Sequence, residues 1–123
     1  MSPRTIPATA HELARSGLLS SLPGETLALL ARRMVREEVA PGSAIVQEGD
    51  TGDRFYVVLA GVLAASQESL GARTVLRPGD TFGEVALGMG VPRTASVHAM
   101  TAATLASCDR ATFDEFIRPL YSD

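Results

Sequence analysis

An acidic residue and an arginine flank a short glycine-bearing turn at residues 83–93, and this pair is the part of the sequence best suited to chemistry. Gly83 has no side chain, so the backbone can approach a ligand closely there. Residues Glu84 to Leu87 predict one short helical turn whose first N–H groups lack partners within the helix and favour an anion. Arg93 presents a planar fork of donors that matches two phosphate oxygens. The stretch therefore predicts an anion site.

The acid beside this turn extends the prediction from a bare anion to a phosphorylated sugar. The carboxylate of Glu84 can accept hydrogen bonds from sugar hydroxyl groups. A phosphate next to a free ribose hydroxyl is the ligand that Glu84 and Arg93 together would select. The structural alternative is a salt bridge between the two side chains across the turn, which contributes at most about 1 kcal/mol if it is exposed.

The sequence of this stretch resembles the phosphate-binding cassette of cyclic nucleotide-binding domains, a family that includes kinase regulatory subunits, cyclic nucleotide-gated channels and bacterial catabolite activators. We call residues 82–96 the cassette. The matching segments are Phe82-Gly83-Glu84, Ala86-Leu87 and Pro92-Arg93-Thr94-Ala95-Ser96. Upstream segments also resemble the family's early strands and turns: Pro41-Gly42, Glu48-Gly49-Asp50, Phe55-Tyr56-Val57-Val58-Leu59 and Gly61. The resemblance extends from about residue 18 to residue 117.

The resemblance implies a role for individual cassette residues. Glu84 is expected to accept from the ribose 2′-hydroxyl, and Arg93 to pair with the cyclic phosphate. Backbone amides complete the anion cradle, and the Thr94 hydroxyl lies near the phosphate or the base. Because such a hydroxyl suits both cGMP-preferring and cAMP-binding members, the preferred base stays open. The expected ligand-binding set is Gly83, Glu84, Val85, Ala86, Arg93, Thr94 and Ala95, and Val85 and Leu87 are also expected to anchor the turn in the core.

The implied function is regulatory. The domain would bind cAMP or cGMP without a cofactor and transmit occupancy through helix movement to an attached effector such as a channel, transporter, kinase or transcription regulator. The alternative is a degenerate domain of the same fold that binds no nucleotide and serves as an assembly or docking surface.

Enzyme activity is not expected from this sequence. A jelly-roll metal enzyme would need clustered His and carboxylate ligands, and His11 and His98 are the two histidines of the chain. The sequence shows no Ser-His-acid arrangement, no Cys-His pair and no Walker-type motif.

Length and composition suit one compact domain in a reducing compartment. The chain has 123 residues, of which 46% are hydrophobic and 20% charged, and this is typical of a soluble globular protein. No apolar run approaches the roughly 18 residues needed to cross a bilayer. A net charge of −3 gives no electrostatic footprint for nucleic acid, and no direct membrane contact by this segment is expected. Cys108 is the single cysteine and cannot form an internal disulfide. We therefore expect a cytoplasmic protein or the cytosolic portion of a membrane protein.

The pattern of turns predicts a mainly β fold with flanking helices. Residues 1–9 are expected to form a flexible leader and residues 10–123 a single domain. A short helix is predicted at Ala10–Ser16, and a second begins near Pro23. Frequent turn residues then separate strands predicted near 36–40, 44–48, 54–60, 62–67, 72–77, 93–100 and 103–108. The expected fold is a jelly-roll-like, eight-stranded β-roll with N-terminal helices, a short cassette helix and a C-terminal helix.

The C-terminal helix is predicted to begin at Arg110, with Asp109 as its N-cap and Pro119 ending or bending it. Its apolar residues Phe113, Phe116 and Ile117 should face the sheet. In the family, a further helix folds over the base as a lid, and only four residues follow Pro119, so the full lid helix is expected to be absent. The chain would then be a piece of a larger protein, a stand-alone module, or a module whose lid comes from a partner. We favour the first, because an isolated sensor has nothing to regulate.

Overall fold

The computed structural model describes residues 8–68 and 72–121. These residues form eight strands: β1 (Val35–Val39), β2 (Ala44–Val46), β3 (Arg54–Ala60), β4 (Leu63–Gln67), β5 (Ala72–Leu76), β6 (Thr81–Phe82), β7 (Ser96–Ala99) and β8 (Ala103–Asp109). The helices are α1 (Ala10–Leu13), a 3₁₀ turn (Leu19–Ser21), α2 (Gly24–Arg33), α3 (Glu84–Met89) and a C-terminal helical segment made of α4 (Arg110–Thr112), a π-turn (Phe113–Ile117) and α5 (Arg118–Tyr121).

The strands are arranged in two four-stranded antiparallel sheets. The first has the order β1-β8-β3-β6 and the second the order β2-β7-β4-β5. The cassette helix α3 lies in the connection between β6 of the first sheet and β7 of the second. This arrangement confirms the mainly β, eight-stranded roll with flanking helices.

The strand β3 is buried on both of its faces, because successive residues of a strand point to opposite sides. Phe55 and Val57 belong to an apolar cluster that includes Leu30 of α2 and Phe113 of the C-terminal segment. Tyr56 and Val58 belong to a second cluster inside the roll, which also contains Phe82 of β6, Leu63 of β4, Val97 of β7 and Leu105 of β8. One core therefore fixes the helices to the first sheet, and the other holds the roll together.

Several predicted boundaries were wrong. The strand predicted at 93–100 begins only at Ser96, because the backbone of Arg93 pairs with the loop before β3: its N–H donates to the carbonyl of Asp50 (2.7 Å) and its carbonyl accepts from the N–H of Gly49 (2.8 Å). The two-residue strand β6 was not predicted. The first helix ends at Leu13 and not at Ser16.

The C-terminal helical segment begins as predicted but continues beyond its proline. Oδ1 of Asp109 accepts from the N–H of Thr112 (2.9 Å), which confirms the N-cap, and hydrogen bonds from Thr112 lower the pKa of this carboxyl group. Phe113, Phe116 and Ile117 are buried. Pro119 does not end the segment, which continues through α5 to Tyr121.

Ala8, which was predicted to lie in the leader, packs against the domain. Residues 1–7 of the predicted leader lie outside the described residues, but Ala8 is buried and its N–H donates to the carbonyl of Met34 (3.3 Å). Thr9 caps α1 in a reciprocal capping box with Glu12. Cys108 is fully buried in β8, and burial raises the pKa of its thiol to about 12. Within the described ranges, every helix is too short or too polar to cross a membrane.

Candidate functional site

One pocket lies between the start of α3 and the second sheet. Its cavity volume is about 110 Å³. The cassette contributes Gly83, Glu84, Val85, Ala86, Arg93, Thr94 and Ala95, which are the seven residues predicted to bind a ligand, together with Phe82. The opposite wall consists of apolar side chains of the roll: Val46, Ala65, Leu76 and Val97. The structure thus places polar groups on one side of the pocket and an apolar surface on the other.

Gly83 begins the cassette helix in a conformation and a space that suit only glycine. Its φ angle is +99°, in the left-handed region that side chains disfavour. A Cβ atom at this position would lie 2.7 Å from the carbonyl oxygen of Arg54 and 2.8 Å from Nη1 of Arg93. The first hydrogen bond of α3 runs from Leu87 to the Gly83 carbonyl (3.3 Å), so the preceding N–H groups have no partner within the helix. These amides carry partial positive charge at the pocket.

The guanidinium of Arg93 is held from several sides. Only 6% of the residue is exposed. Nη2 donates to the carbonyl of Arg54 (2.9 Å), Nη1 approaches the carbonyl of Gly83 (3.4 Å), and the guanidinium carbon lies 6.0 Å from the centre of the Tyr56 ring. Among the described residues, no carboxylate forms an ion pair with it. A buried cation without a counter-charge is costly, so an anion in this pocket would be strongly stabilised.

Glu84 carries an unpaired polar atom beside the pocket. Its Oε2 is buried and has no hydrogen-bond partner among the described residues. The salt bridge with Arg93, the structural alternative for this pair, is not formed. A buried carboxylate oxygen without a donor destabilises the folded state, so this atom is suited to accept a hydrogen bond from a ligand. Glu84 also lies near Tyr121, whose hydroxyl pKa is raised by burial and, to a smaller extent, by the negative charge of Glu84.

Of the remaining predicted residues, Ala86 is buried beneath the pocket lining, and Val85, Thr94 and Ala95 are more exposed. Val85 is 38% exposed, so the expectation that it anchors the turn in the core was wrong; it faces the pocket, and Leu87 is the fully buried anchor. Thr94 is exposed, and its carbonyl accepts from the side-chain amide of Gln67 (3.0 Å). Ala95 is half-buried next to it. The hydrogen bond from Gln67 holds the backbone of Thr94, while the residue remains exposed at the pocket.

Two residues that shape the site were not predicted. A Cβ atom at Gly52 would lie 2.5 Å from the Cβ of Ala86 and 2.9 Å from Nε of Arg93. The sequence marks Gly52 as a turn residue but carries no signal of which side chain it meets. Arg54 supports Arg93 through its backbone carbonyl, and its own guanidinium donates to Oγ of the buried Ser107 (3.0 and 3.1 Å). A contact made by a backbone carbonyl does not depend on the identity of the residue, so the sequence could not predict it.

Across residues 8–68 and 72–121, no cluster of three or more His, Cys, Asp or Glu side chains lies close enough to bind a metal ion. The polar groups that line the pocket are the Arg93 guanidinium, the Glu84 carboxylate, the Thr94 hydroxyl and the backbone amides at the start of α3.

Comparison with known proteins agrees with this geometry. The cyclic nucleotide-binding domain model matches residues 36–119. The regulatory subunit of cAMP-dependent protein kinase from Debaryomyces hansenii is 35% identical over 102 residues, which are 83% of this chain and 23% of that protein. A CRP-like cAMP-activated global transcriptional regulator from Mycobacterium tuberculosis is 28% identical over 117 residues, which are 90% of this chain and 52% of that protein.

A solved structure shows the same fold. The regulatory domain of Toxoplasma gondii PKA with cAMP superimposes with a TM-score of 0.81 at 31% identity, covering 89% of this chain and 43% of that one. The chain therefore spans about a quarter of the kinase subunit and half of the transcriptional regulator. With a family match over most of its length, this chain belongs to the cyclic nucleotide-binding domain family.

Proposed function

We propose that this chain is a regulatory sensor domain that binds a cyclic purine mononucleotide, cAMP or cGMP, in the cassette pocket. The observation that carries the proposal is the pair of groups in this pocket: a buried guanidinium without a counter-charge and a buried carboxylate oxygen without a donor. A cyclic phosphate fused to a ribose carries both missing partners, an anion and a hydroxyl, on one rigid ring system.

In this proposal, Arg93 pairs with the phosphate. A guanidinium has five N–H donors, and Arg93 directs two of its nitrogens toward protein carbonyls. The remaining donors can form charge-assisted hydrogen bonds with the phosphate oxygens, and the free amides at the start of α3, with Gly83 beside them, add to the attraction. Because the contacts to Arg54 and Tyr56 hold the guanidinium in place, little side-chain entropy is lost when the ligand binds.

Glu84 would bind the sugar. Its unpaired Oε2 can accept a hydrogen bond from the ribose 2′-hydroxyl, which replaces an unsatisfied atom with a charge-assisted bond. Val85, Ala86 and Ala95 contribute contact surface around the ribose and phosphate, and Thr94 offers its hydroxyl at the rim.

The size of the pocket limits how the ligand would lie. A cavity of about 110 Å³ is below the roughly 300 Å³ at which sites for small organic ligands begin. The phosphate and ribose would enter, while the base would lie over the open side against the apolar wall formed by residues such as Val46 and Leu76. Either purine base suits such a surface, so the proposal extends to both cAMP and cGMP.

Occupancy would be transmitted to an effector without catalysis by this domain. The relatives described above are a kinase regulatory subunit and a transcriptional regulator, and they favour a kinase catalytic subunit or a DNA-binding region as the effector. We further propose that residues 10–123 act as one domain, with α3 as the part that responds to the ligand.

A thermal-shift comparison of cAMP, cGMP and noncyclic AMP tests the proposal. A ligand present at one hundred times its dissociation constant adds about 2.7 kcal/mol to the free energy of unfolding. We expect at least one cyclic nucleotide to stabilise the protein. AMP should stabilise it much less, because its phosphate is not closed into a ring with the ribose. Unchanged stability with both cyclic nucleotides would contradict the proposal and favour the docking alternative.

A further inference from the structure

The side chain of Arg110 joins α3, whose first residues line the cassette pocket, to the loop before β3, which packs against Arg93. Its Nη1 donates to the carbonyl of Leu87 in α3 (3.2 Å), and its Nη2 donates to the carbonyl of Gly52 in the loop before β3 (3.3 Å). The loop and the helix belong to distant parts of the sequence. Arg110 therefore bridges them with one guanidinium.

The stability of the C-terminal helical segment does not account for this arginine. Arg110 is the first residue of α4, where a positive charge interacts unfavourably with the partial positive charge of the helix N-terminus. The residue as a whole is exposed and its two hydrogen bonds are only partly buried, so their contribution to the free energy of unfolding is modest. Nor does α3 require it as a cap, because Nη2 of Arg118 also donates to the Leu87 carbonyl (3.2 Å).

The loop that Arg110 holds is the one that packs against Arg93. A Cβ atom at Gly52 would lie within 3.0 Å of both Nε and Cζ of Arg93 and 2.5 Å from the Cβ of Ala86. A small displacement of Gly52 away from α3 would thus open space behind the guanidinium of Arg93. Because Arg110 binds the carbonyls of both Gly52 and Leu87, it opposes this displacement.

We propose that Arg110 is a positioning residue for the nucleotide site: it holds the Gly52 loop against α3 and so keeps the Arg93 guanidinium aimed at the phosphate. This inference rests on the function proposed above. Arg110 does not contact the ligand in this account, and its effect on affinity passes through Arg93.

A double-mutant cycle tests this role with cyclic nucleotide as the ligand. Arg110→Ala should weaken binding roughly five- to tenfold in the otherwise unchanged protein, the loss expected if the site keeps its binding-competent arrangement in only about a tenth to a fifth of the molecules. In an Arg93→Lys background the same substitution should change affinity less than twofold, because lysine keeps the charge but has no planar fork to be positioned. Arg110→Lys should not restore binding, since a single ammonium group does not span both carbonyls in the fixed geometry of the fork.

Arg32→Ala is the matched control for charge. Arg32 is exposed on α2 and lies outside the pocket, so its removal measures the loss of one positive charge alone. Urea unfolding of each unliganded variant monitors the fold, and we expect Arg110→Ala to leave it nearly unchanged.

The outcomes separate the two proposals. If the parent protein binds neither cAMP nor cGMP, the proposed function fails and the role of Arg110 fails with it. If the parent binds, the proposed function stands. The positioning role is then wrong if Arg110→Ala lowers nucleotide affinity no more than Arg32→Ala does. It is also wrong if Arg110→Ala lowers the affinity equally in the parent and in the Arg93→Lys background.

Discussion

Gly52 and Arg93 fit together only because residue 52 has no side chain: a Cβ atom there would lie 2.9 Å from Nε of the arginine. The φ angle of Gly52 is not in the left-handed region, so space and not backbone conformation requires glycine here. The loop before β3 is thus part of the pocket's structure, although it does not line the cavity itself.

Gly52→Ala should therefore weaken nucleotide binding by displacing Arg93. We expect a loss of about 1–3 kcal/mol in stability of the unliganded protein, as is usual for an added methyl group in a packed site, and at least a tenfold loss of affinity. Calorimetric titration and urea unfolding measure the two effects.

Gly88→Ala is the control for the glycine substitution. A Cβ atom at Gly88 would meet nothing within 4 Å, although this residue lies in α3, whose first residues line the cassette pocket. Alanine is the better helix former by up to about 1 kcal/mol, so Gly88→Ala should be neutral or stabilising. If Gly52→Ala binds nucleotide as tightly as Gly88→Ala, the close packing around Arg93 does not matter for binding.

The unpaired oxygen of Glu84 predicts opposite effects on stability and binding. Removing the negative charge in Glu84→Gln should raise the free energy of unfolding of the unliganded protein by up to about 1 kcal/mol, because the buried atom without a partner no longer carries a charge. Nucleotide affinity should fall about tenfold, the equivalent of one charge-assisted hydrogen bond.

A 2′-deoxy nucleotide shows whether this loss comes from the ribose. The parent should bind it more weakly than the ribose form, and Glu84→Gln should discriminate between the two much less. Equal binding of both nucleotides by the parent would contradict the assigned contact.

The elements and the main site residues could be predicted from the sequence because their signals are local. Glycine- and proline-containing turns mark most of the strands, and the cassette places Gly83, Glu84 and Arg93 within one short stretch of the chain. The helical start after Gly83 follows from residues that are adjacent in sequence. Local patterns of this kind can be recognised without knowledge of the rest of the fold.

The remaining features depend on contacts between distant residues. Arg93 was predicted to lie in a strand, but its backbone pairs with Gly49 and Asp50, which no local pattern reveals. The strand β6 has two residues, too few for an alternating pattern. The close approach of Gly52 and the bridge made by Arg110 require the tertiary fold, because each joins segments far apart in the chain.

The lowered pKa of Asp109 predicts a pH dependence of stability. Its carboxylate accepts from the N–H of Thr112, so folding favours the charged form. The contribution of this cap to the free energy of unfolding is therefore complete above the ordinary pKa of 3.8 and is lost as the pH falls through the lower folded-state value.

Asp109→Ala should cost about 1 kcal/mol at pH 6 and much less near pH 2, whereas Asp109→Asn, which keeps a capping oxygen, should cost little at pH 6. Urea unfolding at the two pH values measures these differences. A cost of Asp109→Ala that is the same at both values would show that the charged cap is not the cause.

The central claim is that Arg93 binds the cyclic phosphate. Calorimetric titration of the parent and of Arg93→Ala with cAMP and with cGMP tests it most directly, with Glu84→Gln as a variant that keeps the arginine. Charge-assisted hydrogen bonds contribute about 1.5–3 kcal/mol each, so Arg93→Ala should lose at least one to two orders of magnitude in affinity. Equal affinity of Arg93→Ala and the parent for the nucleotide that the parent binds would contradict the claim.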